Sequence, residues 1–171
     1  MNRSYIRTPS VSPSPWMIDS LARAYDWPTG LVGGGVIAIG ELGGGAQMSD
    51  LDQFCSMIGM PRPTVVDCSV NGGTNSGDPT DPASGEVALD IQAAAASYWV
   101  ATGKPAVIRV YYAPNASGSI AAATAQAADE IGRATPSPIE KAATRKITFV
   151  IRYSLNPASL RPDAFCPLLM R

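Results

Sequence analysis

The chain has 171 residues, a formal net charge of −1 at pH 7, 46% apolar residues and only 16% charged ones. Soluble domains average about 25% charged residues, so this composition describes a chain with much surface to bury. It excludes disorder and, with no dense Lys/Arg run, a footprint for nucleic acid or an anionic membrane surface.

Other absences narrow the chemistry. No apolar run reaches the roughly 18 residues of a membrane-spanning helix. The chain contains no histidine, which removes the Ser-His-Asp triad, the Cys-His pair and histidine metal clusters. A general base must then be a carboxylate, lysine, tyrosine or cysteine. The three cysteines, Cys55, Cys68 and Cys166, form no CxxC pair and lack metal-ligand spacing. They read as small buried thiols.

Residues 1–14 form a polar, proline-rich arm with no apolar segment of the kind a secretion signal needs. A short helix is expected over Trp16–Tyr25. Val36–Leu42 is an apolar run closed by Gly43, Gly44 and Gly45 and reads as a buried strand. Ser49 is the expected cap of a helix with Asp50 and Asp52 in its first turn, an apolar face of Leu51, Phe54, Cys55 and Ile58, and a stop at Gly59. Thr64–Val70 is the second strand, and 71–83 is a turn-rich loop. A helix follows from Gly85 to Val100, then a strand over Ala106–Ala113, a helix over Ser117–Arg133 and a strand over Ile147–Tyr153. The tail, 155–171, shows no periodicity. Alternation of β and α, with strands apolar throughout, predicts an α/β fold: a mostly parallel sheet between helical layers.

The third helix carries two acids, Glu86 and Asp90, four positions apart. Such residues are neighbours on a helix, and like charges there cost a few tenths of a kcal/mol when exposed, with the cost rising steeply in a drier setting. Two readings stand open. In one, Ser84 caps the helix, Glu86 sits in the first turn facing the helix dipole, and both acids form a solvated stripe. In the other, the two carboxylates share a proton and one titrates high, a general base able to work in acid where imidazole would be protonated.

Three segments carry a resemblance: AYDWPTGLVGGGVIAIGELGGG (24–45), SGEVALDIQAAAA (84–96) and VIRVYYAPN (107–115). In order and spacing they resemble the catalytic domain of the sedolisins, the serine-carboxyl peptidases of family S53. Glu followed by Leu-Asp-Ile is the most specific part. Similarity runs from about residue 16 to 135 and fades towards 158. The resemblance implies a subtilisin-like three-layer fold, present here incompletely as the N-terminal part of an S53 domain over 15–154. It implies peptide or protein substrates and hydrolysis through an acyl-enzyme in acid. Glu86 would be the base that takes the proton from a serine nucleophile, and Asp90 the acid that hydrogen-bonds and tunes it.

Departures from the family pattern qualify this. The family's nucleophile lies in a Gly-Thr-Ser motif and its calcium site lies further on, and neither is found in these residues. The oxyanion aspartate is missing as well. GGTNSGD (72–78) is a decoy, because Asn75 follows Gly73-Thr74. Where the family has Val-Ile-Ser-x-Ser-Trp-Gly, this chain has Val150–Asn156 without the Trp-Gly pair. The expectation is therefore a truncated or degenerate serine-carboxyl endopeptidase, inactive alone. It would hold no cofactor, and uncovered apolar faces would favour self-association. Family members are usually secreted, and location is left open here. Two rival readings are a small doubly wound ligand-binding module with its site near Gly43–Gly45, and a non-catalytic interaction protein that keeps the peptidase fold.

Overall fold

The computed structural model describes residues 18–133 and the strand 148–151. The arm at 1–14, the tail at 155–171 and Cys166 lie outside the described residues. In chain order the elements are α1 (Ile18–Ala24), β1 (Ile37–Leu42), α2 (Met48–Ile58), β2 (Thr64–Ser69), α3 (Pro82–Thr102), β3 (Val107–Ala113), α4 (Ser119–Arg133) and β4 (Thr148–Ile151).

The strands form one sheet in the order β2-β3-β1-β4, with every pairing parallel. Ile39 pairs with Val110 and Glu41 with Tyr112 across β1 and β3. Strands β1 and β3 are central, which is why their sequences are almost continuously apolar. Strand β2 lies at an edge. Thr64, Val66, Asp67 and Ser69 are exposed there, so its polar residues have a physical reason that the expectation of uniformly buried strands missed.

Alternate side chains along the strands feed two cores. Ile39, Ile108, Val110 and Tyr112 pack with Leu51 and Cys55 of α2 and Val87, Ile91 and Ala95 of α3. Ala38, Leu42, Tyr111 and Ala113 pack with Ala123, Ala127 and Ile131 of α4 on the other face. Each fully buried Ile or Val contributes roughly 1.5–3 kcal/mol. The result is the expected α/β sheet between helical layers, consistent with part of a subtilisin-like fold.

The alanines of α3 now have an explanation. The sheet lies on one side of α3, and α1 with the segment after it lies on another. Trp27 Nε1 donates to Ser97 O at 3.1 Å, Gly34 N to the Tyr98 hydroxyl at 2.7 Å and Leu31 N to Ala101 O at 2.9 Å. Small side chains allow this close covering, and it falls on the C-terminal half of the helix.

Two caps differ from expectation. Helix α2 begins two residues earlier, at Met48, so Ser49 lies inside it, and Gln47 is the cap without a side-chain bond. Asp50 is in the first turn as expected, whereas Asp52 instead pairs with Arg62. Gly59 ends α2 in the left-handed conformation, as expected. Helix α3 is capped by Asp81, whose carboxylate accepts from Ala83 N at 2.9 Å, with Pro82 at the start. Ser84 is thus an interior residue and not the cap. The cysteines Cys55 and Cys68 are free and buried, and burial pushes the Cys55 thiol up.

Candidate active site

All strands of a parallel sheet end on one side, and there the loop after β1, the loop before α3 and the first turns of α3 meet. Gly45 N donates to Ser84 Oγ at 3.1 Å, Ser76 N to Gly44 O at 3.1 Å and Gly43 N to Ala113 O at 3.1 Å. Asn75, the residue that breaks the decoy motif, is the clamp of this region. Its Oδ1 accepts from Ala46 N and Gly77 N, both at 3.0 Å, while Nδ2 donates to Ala46 O at 3.1 Å and to Asp67 Oδ2 at 2.9 Å. A Cβ on Gly45 would lie 2.2 Å from Asn75 Oδ1 and 2.5 Å from Gly77 N, so only glycine fits.

This clamped loop fixes where α3 begins and therefore which way its acids point. Since the helix starts at Pro82, it has no acid in its first turn. Glu86 lies beyond that turn, so the helix dipole does not account for it. Glu86 is exposed, whereas Asp90, one turn further on, is only 8% exposed. A solvated stripe would expose both acids, and the structure separates them instead: one carboxylate meets solvent and the next is turned into the protein.

A third acid, not among the residues singled out from the sequence, lies within the apolar run of β1. Glu41, near the end of β1, is 5% exposed, on the face that packs against α3. A lone acid inside the apolar run of β1 was the available signal. Opposite it in register is Tyr112 of β3, 1% exposed. Burial, and then the negative charges of Asp67 and Glu41, push the Tyr112 phenol well above its ordinary value, so it stays protonated. These residues are thus an exposed carboxylate, Glu86, two buried ones, Asp90 and Glu41, and a buried phenol, Tyr112.

The chain matches kumamolisin from Bacillus sp. (strain MN-32) at 46% identity over 112 residues, which is 64% of this chain and 19% of kumamolisin. The chain is sedolisin-related. No family model matches it. The stretch of similarity spans about a fifth of the relative's length. Among the described residues, no group of three His, Cys, Asp or Glu side chains is placed to hold a metal ion. The glycine turn of this sedolisin-related chain is also a poor anion cradle: the N–H groups of Gly43, Gly45 and Ala46 already donate within the protein. The small ligand-binding reading is therefore not favoured, since an anion at a glycine turn is held by free N–H groups.

Proposed function

We propose that Glu86 and Asp90 are the proton-handling pair of a serine-carboxyl peptidase site that hydrolyses peptide bonds in acid. The observation that supports this reading most is the division of burial between two acids one helical turn apart. The exposed carboxylate of Glu86 can reach a reacting hydroxyl, and the buried carboxyl of Asp90 can hold the other end of a shared proton. In this reading Glu86 takes the proton from the attacking hydroxyl as its oxygen bonds to the peptide carbonyl. Glu86 then returns that proton to the amine as the C–N bond breaks. Asp90 raises the basicity of Glu86 at the moment of transfer and stabilises its protonated form afterwards.

The same reading holds that the 171-residue polypeptide does not turn over by itself, because the Gly-Thr-Ser motif that carries the family's nucleophile is not among its residues. A base without a nucleophile completes no acyl transfer. The test is an assay between about pH 3 and 5, near the carboxylate range, on a peptide library. The purified chain is compared with a chimera in which residues 18–133 replace the matching stretch of kumamolisin. The reading expects no turnover by the chain, and turnover by the chimera that Glu86→Gln and Asp90→Asn each abolish. A chimera that remains as active after Glu86→Gln would refute it.

A further inference from the structure

Four large apolar side chains stand exposed within the eight residues 25–32, just after α1: Tyr25 at 77%, Trp27 at 45%, Leu31 and Val32. Single exposed apolar residues are ordinary on a protein surface, whereas several in one short segment point to a contact. The segment that carries them is fixed. Tyr25 N donates to Leu21 O at 3.1 Å and Trp27 N to Ala22 O at 2.8 Å, and Lys104 Nζ donates to Val32 O at 2.7 Å. The Trp27 indole is held beside α3 by its bond to Ser97 O. Between the two rings, exposed Asp26 takes a φ of 51°, a left-handed conformation uncommon outside glycine.

Exposed aromatic rings on a fixed backbone suit a proline-rich segment. Proline rings pack on aromatic surfaces, and the polyproline II conformation exists before binding, so little entropy is lost. The arm that leads directly into α1 has that composition, with Pro9, Pro13 and Pro15. Its length fits. Helix α1 has seven residues and is about 10 Å long, while residues 9–15 in polyproline II form span about 20 Å. An arm folded back along α1 therefore reaches both rings, and covalent attachment gives it a high effective concentration there. Its charge fits as well: residues 1–18 contain Arg3 and Arg7 and no Asp or Glu, and the acid between the rings is Asp26.

We infer that the Tyr25–Trp27 surface is the docking site of the chain's own proline-rich arm, residues 3–15, bound in extended polyproline II form. The prolines pack on the two rings and the arginines of the arm meet Asp26. The arm thereby covers apolar surface that would otherwise take up a second copy of the chain. The inference stands apart from the peptidase reading, because no acid of α3 takes part in it.

The experiment is NMR of the full 171-residue chain with isotope-labelled proline, at high and at low protein concentration. The ring protons of Pro9 and Pro13 are expected to move upfield under the ring currents of Tyr25 and Trp27 and to show nuclear Overhauser contacts to the Tyr25 ring, at both concentrations. Tyr25→Ala, a change at an exposed position, should abolish those contacts and return the proline protons to their positions in a free peptide of residues 1–17. As the reciprocal readout, Pro9→Ser combined with Pro13→Ser alters only the arm and should move the Tyr25 ring signals. Proline protons that match the free peptide and ignore Tyr25→Ala overturn the inference. Contacts that vanish on dilution overturn it too, because they belong to the arm of a second copy.

Discussion

The backbone N–H of Gly45 donates to Ser84 Oγ over 3.1 Å, in a buried contact that joins the glycine turn after β1 to the first turn of α3. Two segments far apart in sequence are thereby locked at the end of the sheet where the acids of α3 begin. Ser84→Ala leaves that N–H without its acceptor and is expected to cost about 1–3 kcal/mol. Gly45→Ala drives a methyl group into Asn75 and the Gly77 backbone and should cost about 3 kcal/mol. Urea unfolding of both variants measures this. A Gly45→Ala variant as stable as the parent would mean that the two loops are not clamped as described.

Asn75 has the larger role in the same lock, because its amide satisfies both backbone groups of Ala46 as well as Asp67. Asn75→Ala should destabilise by about 2–3 kcal/mol. Asn75→Asp keeps the acceptor but sets a second carboxylate against Asp67 and the Ala46 carbonyl. Its folded-state pKa is then raised above the unfolded value, so stability is regained below the ordinary carboxylate range and lost as pH rises through it. Thermal melts of Asn75→Asp and Asn75→Ala at acid and neutral pH should therefore cross or converge in acid. Parallel curves would argue that Asp67 does not feel position 75.

Acid stability has one identifiable contributor in the loop before α3. Asp78 accepts from the Thr80 hydroxyl at 2.7 Å and from Thr80 N at 2.8 Å, and these bonds hold its carboxyl below the ordinary 3.8. A group with a depressed folded pKa contributes stability above its unfolded value and loses it as pH falls through the folded one. Thr80→Ala should therefore weaken the chain at neutral pH and flatten the fall in melting temperature below about pH 4. An unchanged slope in acid would show that Asp78 is not part of that fall.

The order and identity of the elements were legible because their physics is local. Gly59 stops α2, β1 and β3 announce burial on both faces, and Ser119–Arg133 keeps a helical period. Residues whose partners are distant in sequence were not legible. Ser84 reads as a cap until Gly45, from another loop, takes its oxygen, and Asp81-Pro82 then supplies the actual cap. Asn75 looked like a spoiled catalytic motif and is a structural clamp. Glu41 was absorbed into an apolar strand, and only strand pairing sets it beside Tyr112. Spacing made Glu86 and Asp90 neighbours on a helix, but it could not say which one faces solvent. That depends on what covers α3, and β1 and α1 decide it.

Proton sharing requires the two acids of α3 to titrate as one unit. Carboxyl-carbon NMR of Glu86 and Asp90 from pH 2 to 8, with Asp90→Asn for comparison, asks this directly. Proton sharing predicts two macroscopic steps separated by more than about 1 pH unit, each visible at both residues, and a single displaced Glu86 step in Asp90→Asn. Two independent curves near the ordinary carboxylate values of about 4, with Glu86 indifferent to Asp90→Asn, would contradict a proton shared between Glu86 and Asp90.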